Sequence, residues 1–148
     1  MEQSDLAENT ITRERLTALI ARMSDADLER PLGDGWTVAA TLAHLAFWDQ
    51  RVLRLLEKWE QRGVTPSPFP EDVDAINDAT QALCLALAPR AAARLWQETA
   101  ETLDQKIEGL SPEFEAAIAA GGQPVSFGRW RHRREHLAAL EEILSASN

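Results

Sequence analysis

The segment from Thr37 to Arg62 is nearly apolar all round at helical spacing, and it constrains the fold more than any other part of the chain. Val38, Leu42, Leu45, Val52 and Leu56 mark one stripe, and Thr41, His44, Trp48, Leu55 and Trp59 mark the neighbouring one. A helix without a polar face must be surrounded by other elements. Thr37 supplies an N-cap and Gly63 a stop, so the pattern predicts a long buried helix over these residues. His44 then points inward, where its ring nitrogens need a metal or a hydrogen-bond partner.

The remaining periodicity is also helical, and no convincing period-2 strand appears. Leu16, Leu19, Ile20 and Met23 predict a first helix over about Thr10 to Met23. Ser24-Asp25-Ala26-Asp27 reads as a capping box for a short turn, and Pro31, Gly33 and Gly35 mark a loop. Gly63 to Pro70, with Pro66 and Pro68 inside it, predicts an extended connection. A third helix is expected over about Asp72 to Ala88 with Ile76, Leu83 and Leu87 inward. Pro89 then restarts the chain into Leu95, Trp96, Leu103, Ile107 and Leu110, and the two parts are expected to form one long element. Ser111-Pro112-Glu113 starts a short helix that Gly121-Gly122 ends, and Pro124 to Phe127 leads into a last helix from about Ser126 to Ser145.

At 148 residues, with 45% hydrophobic and 26% charged residues, the chain fits a single globular domain over residues 1–148. The first ten residues lack a basic and apolar leader pattern, and no stretch approaches the ~18 apolar residues of a membrane span, so a soluble cytoplasmic protein without a membrane partner is expected. The single cysteine, Cys84, agrees with a reducing compartment and reads as a buried inert thiol. A net charge of −9 argues against nucleic acid as a partner.

The chain has three histidines, His44, His132 and His136. The last two are four apart on the predicted last helix, on one stripe with Leu140 and Ile143, and residues at that spacing lie on one face about 5–6 Å apart. Two imidazoles so placed reach a common ion, and His44 is the third candidate, since catalytic zinc-type sites take three protein ligands and leave a position for water. The alternative is three ordinary surface or core histidines. Arg129, Arg131, Arg133 and Arg134 surround His132 and read as a solvated face or as partners of nearby carboxylates, with a grip on an anionic substrate as a further reading. Glu135 is about 100° around the helix from His136 and reads as a partner of Arg131 or of solvent. Asp49 is a weak candidate for supporting the ligands, Trp48 reads as core with a pocket wall as the alternative, and Asn77 either caps a buried polar network or faces a ligand. No residue is assigned a catalytic role.

Gly35-Trp36-Thr37-Val38-Ala39-Ala40-Thr41-Leu42-Ala43-His44-Leu45-Ala46-Phe47-Trp48-Asp49, Asn77, and His132-Arg133-Arg134-Glu135-His136 together resemble the DinB-like superfamily over nearly the whole chain. That superfamily includes the DinB-type proteins, the metal-binding domain of mycothiol-dependent maleylpyruvate isomerases and the bacillithiol transferases. The resemblance implies an all-α four-helix bundle with short additional helices in its connections, and frequently a homodimer. It also implies one divalent ion, zinc or nickel ahead of iron or manganese, held by His44, His132 and His136. The implied chemistry is activation of a low-molecular-weight thiol for S-transfer to a small-molecule substrate. The alternatives are metal-dependent hydrolysis through bound water and a non-catalytic metal-binding dimer.

Overall fold

A computed structural model describes residues 3–65, 69–122 and 125–146. Among these, the elements in chain order are α1 (Gln3–Arg22), α2 (Asp25–Leu28), β1 (Pro31–Gly33), β2 (Trp36–Thr37), α3 (Val38–Arg62), α4 (Val73–Leu85), α5 (Pro89–Glu108), α6 (Pro112–Ala120) and α7 (Trp130–Ser145). The fold is all-α apart from one small hairpin. Its long helices pack α3 on α5, α5 on α1 and α1 on α7, with α4 laid on the outside of α3. Among the described residues no helix is long and apolar enough to cross a membrane.

The local signals act largely as the sequence predicts. Thr37 Oγ1 accepts from Ala40 N at 3.1 Å and starts α3, and Gly63, at φ 82°, ends it. Ser24 and Asp27 complete their capping box at α2, and Ser111 caps α6 through Phe114 N. Cys84 is buried. The expected breaks at Pro66, Pro68 and Pro124 lie outside the described residues.

Four expectations are corrected. The loop at Pro31 to Gly35 is a two-stranded antiparallel hairpin, with Pro31 opposite Thr37 and Gly33 opposite Trp36. Asp34 and Gly35 take φ of 49° and 79°, the pair of left-handed residues that a tight hairpin turn demands. Helix α1 begins well before Thr10, because Leu6 packs against the core and Asp5 and Asn9 bond to the start of α7. The expected third long element is two helices. Helix α4 ends at Leu85 and exposes Leu83 at 69%, because it packs chiefly on α3 and so buries one narrow stripe, and Leu87, in the turn that follows, is 39% exposed.

The fourth correction concerns α7, which starts at Trp130 and turns a different face inward. Arg133, Leu137, Leu140, Ile143 and Leu144 are its buried residues, while His132 and His136 are half-buried at the edge. A guanidinium heads the core face because carboxylates from two other helices meet it. Arg133 bonds both oxygens of Asp104 at 2.8 and 2.9 Å and reaches Asp49 at 3.3 Å. Asp104 also accepts from Arg13 at 3.0 Å, so this ionic layer ties α1, α3, α5 and α7 together. It falls between two apolar clusters, one around Leu16, Leu42, Trp96 and Leu140 and the other around Leu56, Trp59, Leu103 and Ile118.

Candidate metal centre

His44 stands on the second turn of α3 and is 7% exposed. Its Nε2 lies 3.1 Å from Nε2 of His132. Ring centroids are 5.1 Å apart for His44 and His132, 5.3 Å for His44 and His136, and 5.2 Å for His132 and His136, a nearly equilateral triangle. One nitrogen from each ring lies within 4.8 Å of the other two. Two nitrogens bound to a tetrahedral ion at ~2.0–2.1 Å stand about 3.3 Å apart, so this donor set fits one ion after small side-chain adjustments. The three residues named from the sequence are thus brought together, from two helices far apart in the chain.

Their protonation suits ligation. Burial lowers the His44 pKa to about 4, with the charge of His136 adding to the effect. Burial lowers His132 to about 2, with Arg129 the next cause. His136 is also lowered by burial, against an opposing pull from Glu135. All three imidazoles are therefore neutral at pH 7 and carry lone pairs for a cation.

Two neighbouring elements fix the triangle. The hairpin sets Trp36 edge-on to His44 with ring centroids 5.5 Å apart. Asn9 of α1 caps α7 from outside it. Its Oδ1 accepts from Trp130 N at 2.9 Å, and its Nδ2 donates to Phe127 O at 2.8 Å. This side chain satisfies the first N–H of the helix that carries His132 and His136.

The histidines line an open cleft of about 910 Å³ whose walls include Trp36, Trp48, Phe69, Asn77 and Arg129. A cleft of this size admits a small organic molecule. Trp48 is buried at 7% exposure, as core, and also forms part of the cleft wall: its Nε1 donates to Asn77 Oδ1 at 3.0 Å, and its ring stacks with Phe69 at 6.0 Å. Asn77 therefore serves the cleft from α4. Asp49 is not beside the imidazoles. It holds Arg129 at 2.8 Å and Arg133 at 3.3 Å, so it acts on the cluster through the arginines that flank His132 in the chain.

The four arginines are paired, not solvated as a set. Arg131 meets Asp5 and Arg134 meets Glu8 at the surface, while Arg129 and Arg133 are buried at 8% and 1% exposure. Because Arg131 is taken by Asp5, Glu135 does not pair with it and instead lines the cleft. Sequence reasoning missed Asp104, the main partner of Arg133. Its only signal is a carboxylate just after Leu103 on the apolar stripe of α5.

A family model described as the DinB superfamily matches residues 8–141, a span that contains all three histidines. No curated protein and no solved structure matches the chain.

Proposed function

We propose, from the premise that this chain belongs to the DinB superfamily, that it binds one divalent metal ion through His44, His132 and His136 and acts as a metal-dependent enzyme on a low-molecular-weight thiol. The observation that carries this reading is the convergence of three neutral imidazoles on one side of an open cleft. Among the described residues no carboxylate or cysteine belongs to the donor cluster, which leaves positions toward the cleft for an exogenous ligand. A divalent ion held there would lower the pKa of a bound thiol or water so that it is deprotonated near neutral pH. Zinc or nickel suits three imidazoles better than iron or manganese.

The chain's own residues supply the rest. Trp36, Trp48 and Phe69 give apolar contact for the organic part of a substrate, and Trp48 is held in place by Asn77. In S-transfer the thiolate sulfur forms a bond to an electrophilic carbon, and the leaving group departs with its electron pair. Activation of water for hydrolysis is the runner-up, because the same open positions serve both nucleophiles. The assay is metal-loaded protein with cysteine or glutathione and a chloronitroaromatic acceptor. Metal-dependent release of chloride supports S-transfer; a flat response with each thiol, together with metal-dependent ester hydrolysis, reverses the order.

The same reading places the protein in the cytoplasm, where thiols stay reduced, and makes it a homodimer. Support for the dimer comes from Leu83, Leu85, Leu87 and Leu95, which are 69%, 44%, 39% and 40% exposed on α4, the turn after it and α5. Sedimentation should give a dimer for the wild type and a monomer for Leu83→Glu; a monomeric wild type removes this part of the reading.

A further inference from the structure

Arg129 is 8% exposed and lines the cleft beside His132. Its Nε donates to Asp49 Oδ1 at 2.8 Å. Among the described residues its Nη1 and Nη2 have no hydrogen-bond partner. Both nitrogens keep contact with the solvent of the cleft, so this fork is open to a ligand while the rest of the side chain is buried.

The charge balance points the same way. In the ionic layer three guanidinium groups, Arg13, Arg129 and Arg133, face two carboxylates, Asp49 and Asp104. Arg133 and Arg13 take both oxygens of Asp104, and Asp49 is shared between Arg129 and Arg133, so one positive charge is uncompensated and Arg129 is the member that reaches the cleft. Arg51 adds a second cation nearby, stacked over Phe69 at 5.5 Å and Trp48 at 6.0 Å. Carboxylates also stand along the cleft. Asp34, Asp74, Asp78 and Glu135 are solvent-exposed and make no ion pair with Arg129, and Arg131 is held by Asp5. Arg129 is thus a buried cation on the wall of a cleft whose carboxylates are exposed, in a chain that carries −9 as a whole.

We propose that Arg129 receives a carboxylate of the substrate end-on through Nη1 and Nη2, so that the cleft selects molecules with a carboxylate close to the reacting atom. Asp49 fixes the Nε edge and aims the fork. The planar guanidinium matches two carboxylate oxygens at once, which an ammonium does not. The placement of that carboxylate next to a reacting atom rests on the metal-centre reading above, whereas its capture by Arg129 does not.

The test is a titration of isotope-labelled, metal-free protein with succinate and with its uncharged analogue succinamide, following the Arg129 Nε–H resonance. Succinate should shift that resonance to saturation and bind at least about tenfold more tightly than succinamide. Arg129→Gln should lose the preference, Arg129→Lys should recover part of it, and Arg131→Gln should leave it intact. Equal binding of the two probes to the wild type, or wild-type succinate affinity in folded Arg129→Gln, overturns the proposal. If Arg129→Gln does not fold, the wild-type titration decides: a succinate shift that bypasses the Arg129 resonance is also a refutation. Zinc binding measured on the same sample reports separately on the metal-centre reading.

Discussion

Nε2 of His44 and Nε2 of His132 face each other at 3.1 Å across a separation of 88 residues in the chain. A neutral imidazole carries one proton, so in the metal-free protein one of these nitrogens donates to the other. Ligation of an ion through His44 Nε2 would require that ring's proton to sit on Nδ1, which is buried without a hydrogen-bond partner. An unmet buried donor costs about 1–3 kcal/mol, a cost that falls on metal binding where His44 is the donor of the pair and is already present without the ion where His132 is. The arrangement thus trades one hydrogen bond between two imidazoles for a shared cation.

Acid should weaken the metal-free protein through the same cluster. Folding lowers the His44 pKa from 6.5 to about 4 and that of His132 to about 2, and lowers His136 as well. Below pH 6.5 the unfolded chain takes up protons that the folded chain refuses, so stability rises with pH in this range. The full contribution is present above pH 6.5 and is lost as pH falls through about 4. Denaturant midpoints between pH 7.5 and 4.5 should therefore decline for the wild type and decline less for His132→Gln. Parallel curves would show that His132 does not titrate as described.

The ionic layer predicts a large asymmetric cost. Asp104→Ala removes the bidentate partner of Arg133, a side chain 1% exposed, and leaves Arg133 the Asn9 carbonyl at 3.0 Å and, as its one carboxylate, Asp49 at 3.3 Å. Stranding a buried charge in this way costs about 3–5 kcal/mol. Replacing the surface residue Glu8, which pairs with exposed Arg134, should cost under about 1 kcal/mol. Urea unfolding of the two variants checks the contrast, and similar small losses would mean that Arg133 finds other partners.

How much of this was legible in the sequence depends on whether the cause is local. The periodicity of α3, the caps Thr37 and Ser111 and the pairing of His132 with His136 are set within a few residues of chain, and the structure matches each of them. Asp34-Gly35 carried a hairpin signal that its neighbours Pro31 and Gly33 disguised as loop. The exposure of Leu83 and the burial of Arg133 were not legible. Each depends on which helices lie opposite, and Arg133 becomes a core residue only because Asp49 and Asp104 arrive from α3 and α5. Trp48 is buried as read and also lines the cleft, but its polar partner Asn77, on another helix, was not legible.

Asn9 shows a further non-local dependence that is easily tested. As the external cap of α7 it serves Trp130 N and Phe127 O from α1. Asn9→Ala should cost about 1–2 kcal/mol and weaken zinc binding, because the first turn of α7 carries His132. Thermal unfolding and a competitive zinc titration measure the two effects. Unchanged zinc affinity with reduced stability would separate the cap from the site.

The central claim is that His44, His132 and His136 hold one ion together, and elemental analysis of protein purified without a histidine tag tests it most directly. The account predicts close to one divalent ion per chain in the wild type, bound in the cell or on addition of zinc, nickel or manganese. The ion should be lost in both His44→Ala and His136→Ala while the helical circular-dichroism signal persists. A wild type that neither carries nor takes up any of these ions would contradict it and leave the three histidines as residues of a non-catalytic helical protein.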